Sequence, residues 1–403
     1  MSKNTFFTGQ PVLNQLLSLI DRNSVRSLSR RGGYDHYYKY FDTFCHLVTM
    51  LYSSLNNCTS TREVVSGMHA CHSKLLHLGI SSPPARSTLC DANSKRPFDV
   101  FQQIYELLYK RHRHLLPDSR LKQYDKLFIA DSSTITLFQR ILDAPSPGKM
   151  NGKRKGGIKV HTLIGAAEHV PLKISFTAAS ANDMPFLKEI DLEEGSFIVF
   201  DKGYVDYSEY ERIGKQGAFF VTRQKKDARY EIVESRELTL QSMMAGVQND
   251  QILIQGTRTQ REKIRLNVRM VTFFDAESGR TFEFLTNNFS LLPEEIAEIY
   301  KKRWLIEMLF KRVKQNFPLK YFLGDNENAI QIWCAFISDL LIKVVQVQLK
   351  RKWAFSNLRS IIRLHMMSYI SLYKFLNNPE KLSMGKGNNN QLKLGALEID
   401  FKT

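Results

Sequence analysis

The chain reads as an α/β protein with a helical front, a strand-rich middle and a helical close. Three observations give that reading. The apolar period changes from helical to alternating near residue 126. Two short apolar runs, Phe128-Ile129-Ala130 and Ile198-Val199-Phe200, each end in an aspartate. A long helical stretch from Pro293 to about Asn316 then carries a polar row on one face and an apolar stripe on another.

Composition narrows the field before any motif is considered. The chain has 403 residues, 43% hydrophobic and 11% aromatic, so it can bury cores and is not a disordered polymer. Against 40 Asp and Glu stand 57 Lys and Arg, a net charge of +17. The excess is clustered: Arg30-Arg31, Lys110 to Arg113, Lys153 to Lys155, Lys225-Lys226, Lys301 to Arg303 and Lys311 to Lys314. Such clusters point to a polyanion, nucleic acid ahead of an anionic membrane; a solvated surface is the bland alternative for any one of them. The five cysteines are odd in number and include no Cys-x-x-Cys pair, which argues against a disulfide framework or a zinc site and favours a reducing cytoplasm. The first ten residues lack an apolar signal core, and no uninterrupted apolar run approaches about 18 residues. A cytoplasmic protein without a membrane partner is expected.

Residues 1–120 should form a helical N-terminal domain. Pro11 to Ile20 is amphipathic, and Tyr40 to Leu55 is apolar and aromatic. Ser60 and Glu63 have the spacing of a capping box opening a helix through about Leu76. Pro83-Pro84 breaks the chain. A short helix follows from Ala85 to near Lys95-Arg96, and Pro97 takes the first position of the next, which runs to about His114. Two short helices around a Pro-rich turn, the second bearing Arg86, Lys95 and Arg96, predict a helix-turn-helix-like reader of DNA; an ordinary helical cap competes.

From Lys126 the pattern is that of strands. Lys126 to Ala130 ends in Asp131, and Thr134 to Phe138 continues it. Ile158 to Gly165 and Pro171 to Thr177 follow, joined at Glu168-His169; in the second, Leu172, Ile174 and Phe176 alternate with Lys173, Ser175 and Thr177. A short helix at Pro185 to Ile190 precedes the strand Ser196 to Phe200, which ends in Asp201. A helix at Tyr207 to Lys215 leads to a strand at Ala218 to Thr222. A three-strand meander followed by alternating helices and strands matches a ribonuclease H-like core. Its closing helix does not follow directly. Residues 224–288 instead read as a β-rich insertion, with strands at Tyr230 to Val233, Ile252 to Ile254, Ile264 to Phe274 and Thr281 to Leu285 and a turn at Ser278-Gly279. The expected organisation is thus core at 121–223, insertion at 224–288, closing helix within 289–318, C-terminal helices at 319–376 and a weakly ordered tail at 377–403.

The chemistry sits at the strand ends and on the long helix. Two-metal phosphoryl transfer needs clustered carboxylates on rigid elements, and Asp131 and Asp201 stand where such strands would hold them. Each could instead cap a turn. On the helix, Tyr300, Arg303, Glu307 and Lys314 are spaced by 3, 4 and 7 and fall within an arc of about 60°. An apolar stripe of Leu305, Ile306, Leu309, Phe310 and Val313 centres roughly 110° away. One face can pack while the polar row faces a cleft. A carboxylate flanked by Arg, Lys and a Tyr hydroxyl suits a place where a cation and a phosphate meet. The competing reading is a solvated face with an Arg303–Glu307 pair.

The spacing Tyr300-x2-Arg303-x3-Glu307-x6-Lys314 resembles the Tyr-Arg-Glu-Lys signature of a large family of bacterial insertion-sequence transposases of the Asp-Asp-Glu class. Asp201-Lys202-Gly203-Tyr204 resembles the family's Asp-x-Gly-Tyr block, Phe128 to Ser132 its first block, and Phe322-Leu323-Gly324 to Asn328-Ala329 with Gln331-Ile332-Trp333 its usual continuation. Residues 10–115 resemble the helical N-terminal domain of one subgroup, so the likeness spans nearly the whole chain. The resemblance implies that Asp131, Asp201 and Glu307 are catalytic and bind two Mg²⁺ ions, with Mn²⁺ as a substitute. It implies that Tyr300, Arg303 and Lys314 hold DNA phosphates. The partners would be terminal inverted repeats and target DNA, both double-stranded, with a homodimer in the synaptic complex. The implied reaction is cut-and-paste transposition: nicking by water, then attack by the freed 3′-hydroxyl. A hairpin route would use an aromatic residue of the insertion to stack a flipped base; Trp304, Trp333 and Trp353 all lie outside the insertion, and Phe273, Phe274 and Phe284 are left open.

Smaller expectations complete the reading. Lys153 and Arg154, in the loop Lys149 to Lys159, are expected at the DNA backbone, with a disordered solvated loop as the equal alternative, and Arg223, with Lys225-Lys226, is expected to track a phosphate strand near the cleft. His161 reads as a core histidine and Trp304 as packing. A catalytically silent DNA-binding protein derived from a transposase is the alternative function, and a repair or resolution nuclease a third.

Overall fold

The computed structural model describes residues 9–36, 38–136, 149–150, 153–154, 157–256, 264–319 and 329–380. Its first part is helical, as the periodicity predicts: α1 (Val12–Leu17), α2 (Arg22–Arg31), α3 (Thr43–Asn56), α4 (Thr61–Ala70), α5 (His72–Leu75), α6 (Arg86–Lys95) and α7 (Asp99–His112). Asp21, Asp42 and Ser60 cap α2, α3 and α4, each accepting a backbone N–H of the first turn. The box at α4 is half formed, because Glu63 turns back to the Thr59 N–H at 2.7 Å and not to Ser60. The helix stops at Ala70, short of Leu76, and α5 carries the chain on. Pro97 lies two residues before α7, outside it, with Phe98 at the N-cap. Helix α2 was not expected: Val25 and Leu28 are its only apolar residues.

The middle forms a nine-stranded sheet and a small β-ribbon. The strands are β1 (Leu127–Thr136), β2 (Lys149–Met150), β3 (Lys153–Arg154), β4 (Gly157–Gly165), β5 (Pro171–Ala178), β6 (Phe197–Val199), β7 (Phe219–Arg223), β8 (Tyr230–Ser235), β9 (Val247–Gln255), β10 (Leu266–Asp275) and β11 (Arg280–Thr286). Helices α8 (Pro185–Lys188), α9 (Tyr207–Lys215) and α10 (Leu240–Ala245) lie between them. The two runs expected around Asp131 are one continuous strand, β1. The sheet order is β5-β4-β1-β6-β7-β11-β10-β9-β8, while β2 pairs with β3 in a separate two-stranded ribbon among the described residues. Strands β1, β4 and β5 are an antiparallel meander, and β1, β6 and β7 run parallel. Antiparallel pairing of β11 with β7 lets the later strands extend the same sheet. Positive φ at His169 and Gly279 makes the β4–β5 and β10–β11 turns.

The long helix is two helices, α11 (Pro293–Lys301) and α12 (Trp304–Asn316). Between them the backbone tightens to i→i−3 bonds, Arg303 N–H to Tyr300 carbonyl at 2.9 Å and Leu305 N–H to Lys302 carbonyl at 2.9 Å. Helices α13 (Ala329–Gln348), α14 (Phe355–His365) and α15 (Leu372–Asn377) close the described chain. By length and composition α13 could cross a membrane, but 83% of its apolar window is buried inside the fold. Gln331, Asp339 and Lys343 interrupt its apolar run. It packs against α3, α7, α12 and α14, so helices from both ends of the sequence share one core with it. The expected tail beyond residue 380 and the Phe322 to Asn328 stretch lie outside the described residues.

Candidate active site

Strand register builds the site. The parallel β1–β6 register sets Ile129 opposite Val199, so two residues on, Asp131 and Asp201 stand level and on one face. The β6–β7 register sets Val199 opposite Val221, which brings Arg223 beside Asp201. Arg223 in turn lies opposite Phe284 of β11. The Arg223 Nη2 to Asp201 Oδ1 distance is 2.9 Å. The same oxygen accepts the Lys202 N–H at 2.7 Å, which starts the tight turn Lys202–Tyr204.

Helix α12 packs on β1 and supplies the third carboxylate. The Arg303 guanidinium donates through Nη1 to Asp131 Oδ2 at 2.9 Å and through Nη2 to Glu307 Oε1. Lys314 reaches Ser133 Oγ at 2.6 Å and the Thr134 carbonyl at 3.0 Å, so it too faces β1. Tyr300 is buried with its ring 4.8 Å from that of Phe284, and its hydroxyl meets no partner among the described residues. The guanidinium carbons of Arg223 and Arg303 lie 5.9 and 6.0 Å from the Tyr300 ring centre. With the break at Lys302–Arg303, Arg303 and Glu307 stand at Asp131, Lys314 lies further along β1 and Tyr300 packs on Phe284.

The electrostatics separate the two aspartates. Burial pushes the Asp131 carboxyl up to about 6, and the charges of Asp201 and Glu307 add to it against the Ser132 N–H and Arg303. Burial also works on Asp201, but the Arg223 hydrogen bond and the Lys202 N–H outweigh it and hold this carboxyl below its ordinary value. Burial opposes the charge on Arg303, yet Tyr300, Asp131 and Glu307 hold its pKa above the usual one. Burial raises the Tyr300 phenol to about 12 despite Arg223 and Arg303.

Among the described residues no three His, Cys, Asp or Glu side chains are close enough to share a metal ion. The cause is local: Arg303 is inserted between Asp131 and Glu307, and Arg223 grips Asp201. The donor set nevertheless suits a hard cation. It is all carboxylate, and no described residue donates to Asp201 Oδ2 or Glu307 Oε2.

A fourth acid stands beside the row without having been singled out. Asp183 Oδ1 accepts from Ser132 Oγ at 2.7 Å and pairs with Lys159 at 3.2 Å, and His161 Nδ1 lies 3.5 Å away. Burial first, then the charges of Asp183 and Asp131, push the Tyr204 phenol up, which places Tyr204 among these acids. No sequence period marks Asp183; it is a loop residue ahead of a Pro-opened helix. His161 is the expected core residue, with Nε2 2.7 Å from Thr177 Oγ1 and its ring stacked on Phe186.

Next to the row opens a cavity of about 690 Å³ lined by Arg223, Phe273, Phe282, Phe284, Tyr300 and Trp304 among others. Phe274 is not part of its lining. Trp304, expected to pack, is 59% exposed at this cavity, because it opens the first turn of α12 on the side away from the core.

The DNA-facing residues expected elsewhere fare differently. Arg86 and Lys95 lie on the exposed side of α6, with Lys95 3.4 Å from Asp91. Arg96 is a correction: it is only 4% exposed. Its guanidinium donates to the Phe41 carbonyl at 3.0 Å, pairs with Asp35 at 3.5 Å and stacks over Tyr38, so it ties a loop down and has no surface for DNA. Lys153 and Arg154 form β3, and their side chains lie outside the described set.

Residues 123–338 match the family model described as a transposase DDE domain, and residues 8–81 match one described as a domain of unknown function, DUF4372. Three relatives carry the word transposase in their names. Protein y4zB of Sinorhizobium fredii is 30% identical over 65% of this chain and 71% of its own. The protein for insertion sequence element IS5377 of Geobacillus stearothermophilus is 28% identical over 66% and 68%. That for IS4SA of Synechocystis is 26% identical over 65% and 72%.

Proposed function

The chain belongs to the transposase DDE domain family, a family of DNA-cleaving and strand-transferring enzymes, and we propose that it moves an insertion sequence by cut-and-paste, with Asp131, Asp201 and Glu307 as its catalytic carboxylates. One observation carries the assignment: strand register sets Asp131 level with Asp201 while Arg303 ties Glu307 to Asp131. The order β5-β4-β1-β6-β7, antiparallel in its first three strands and parallel in its last three, supports a ribonuclease H-like core. In that reading β8–β11 are the insertion and α12 is the closing helix.

Asp131, Asp201 and Glu307 would hold two Mg²⁺ ions, with Mn²⁺ as a substitute. When bound, such ions lower the pKa of the attacking water and neutralise charge on the leaving oxygen. The rest falls to side chains. Arg303 has more N–H groups than its two carboxylate bonds use, Arg223 and the unpartnered Tyr300 hydroxyl lie near it, and Lys314 stands further along β1; together they would grip the phosphates flanking the cut. Water adds to phosphorus at the element's end and the 3′ oxygen leaves with a proton. That hydroxyl then attacks the opposite strand or, later, target DNA. The aromatic cavity beside Tyr300 would take an extrahelical base if the opposite strand is attacked, with Phe273, Phe284 and Trp304 as its walls. Joining two ends calls for a homodimer on double-stranded DNA, acting in the cytoplasm at the nucleoid. The N-terminal helices would hold the terminal repeats.

The test is nicking of a duplex copied from the element's end. Asp131→Asn, Asp201→Asn and Glu307→Gln should each abolish Mg²⁺-dependent nicking while binding of the duplex persists. Full activity in any one of them overturns the carboxylate assignment. Wild-type protein that binds the duplex but never nicks it, with Mg²⁺ or Mn²⁺, would instead mark a silent DNA-binding protein.

A further inference from the structure

We propose that α2 is a DNA-recognition helix, lying in the major groove at the element's end with Arg26, Arg30 and Arg31 on phosphates and guanine edges and Asn23 and Ser27 on base edges. The inference rests on the reading of the chain as a transposase that holds duplex DNA, and it gives part of the segment matched only to a domain of unknown function a ligand. The sequence pattern alone points to α6 for this task.

The faces of α2 are sharply divided. Val25, Leu28 and Ser29 are buried, while Asn23, Arg26, Ser27, Arg30 and Arg31 are exposed. At about 100° per residue the exposed set occupies one arc of roughly 140°, and the buried set centres on the opposite side. The arc carries no acidic residue. No described residue pairs with or accepts from the guanidinium of Arg26, Arg30 or Arg31. Some surface arginines elsewhere are compensated, Arg212 by Glu209, Arg265 by Glu231 and Arg351 by Glu380, and others such as Arg62, Arg229 and Arg363 stand alone among the described residues; α2 differs in setting three on one face of one helix. Three uncompensated guanidinia on one short face repel one another, and an anion facing them relieves that repulsion.

The helix is also held as a reader must be. Asp21 caps its start. Arg22 is tied back, donating to the Gly79 carbonyl at 3.3 Å and stacking over Phe44. Ser29 Oγ donates to Asp35, whose carboxylate also accepts the Thr43 N–H at 2.7 Å and pairs with Arg96. The buried Arg96 thus helps to fix α2, although it touches no surface itself. The basic surface continues past both ends. Arg111, on the last turn of α7, is exposed and within electrostatic reach of Asp21. Lys39 is exposed and Tyr40 is 91% exposed in the loop that follows α2.

Double-stranded DNA fits this face better than a membrane. Ten helical residues span about 15 Å, and the helix can enter a major groove about 12 Å wide. Arg, Asn and Ser are the side chains that read guanine, adenine and either base there. The exposed arc has no apolar residue to enter a bilayer.

The test uses the full-length protein, wild type and variant, with two fluorescent duplexes: one copied from the element's end and one of the same length and shuffled sequence. Arg26→Ala/Arg30→Ala/Arg31→Ala should weaken binding to both and reduce the slope of log K against log salt by about 2 to 3, since each lost phosphate contact removes about 0.9. Asn23→Ala/Ser27→Ala should keep the slope and lose at least about tenfold of the preference for the end duplex. Replacing the three arginines by lysine should keep the slope and lower the preference, because lysine keeps the charge and not the fork. Arg86→Ala/Lys95→Ala should change both quantities less than the α2 substitutions do; the reverse order would make α6 the reader and overturn the proposal. Thermal unfolding checks that each variant is folded. A folded triple-alanine variant with wild-type affinity and slope overturns the proposal, as does wild-type binding to phosphatidylglycerol vesicles that the triple variant loses while its DNA binding stays intact. Wild-type protein that neither binds nor nicks the end duplex would overturn the transposase reading of this copy; binding and nicking that survive the α2 substitutions would overturn α2 alone.

Discussion

At Asp131 burial pulls against the Ser132 N–H and the Arg303 guanidinium, and the balance can be titrated. Its carboxyl is raised from 3.8 to about 6 in the fold, so over that range the folded protein keeps a proton that the unfolded chain has released. The stability this contributes is full below about pH 3.8 and is lost as pH rises through about 6. In chelator-treated protein, the thermal midpoint of wild type relative to Asp131→Asn should therefore fall between about pH 4 and about pH 7. A difference that stays flat would refute the burial argument. Asp201 has the opposite sign: its lowered carboxyl stabilises the fold above its ordinary value and ceases to do so as pH falls through its folded value. Residues of this kind were unequally legible in the sequence. The spacing of Tyr300, Arg303, Glu307 and Lys314 showed them on one face, and the structure turns that face to β1. Arg96 and Arg26 look alike as letters, yet one is buried against carbonyls and the other faces solvent. Asp183 belongs to no period, so only the folded loop brings it to Ser132.

Among the elements, α12 needs the firmest anchor because it carries Glu307. That anchor is a bidentate pair: Arg312 Nε and Nη2 each lie 2.8 Å from a carboxylate oxygen of Asp339 on α13, and Nη2 also reaches the His169 carbonyl at 3.3 Å. Asp339 is 1% exposed, so stripping its partner leaves a buried charge. Arg312→Ala should cost about 3–5 kcal/mol in denaturant unfolding, and the double change Arg312→Met/Asp339→Leu should recover most of it. A single-variant cost below about 1 kcal/mol would show that the pair is not the anchor. Element type was largely readable, because alternation and helical spacing are local. The misses have local causes too. Helix α2 offers only two apolar residues, too few for a visible period. The break between α11 and α12 carries no Gly or Pro, and only the switch to i→i−3 bonds reveals it. That β8–β11 would join the main sheet depends on β11 finding β7, a pairing of distant segments that no window of sequence contains.

The whole molecule turns on α13. Its apolar surface is covered by α3 and α7 from the front of the chain and by α12 and α14 from the back. A chain that stops at Leu319 keeps every strand of the sheet and loses that shared core. It should lose the cooperative unfolding transition of the full chain, as read by near-ultraviolet circular dichroism on heating. A sharp transition at the full-length temperature would show that the front helices fold without it.

The order of synthesis gives this packing a further meaning. A ribosome releases α2 and its arginine row before any strand of the sheet, yet α13, the helix that completes the surrounding core, emerges only after the last strand. A prematurely terminated product would thus present the basic segment on an incomplete support.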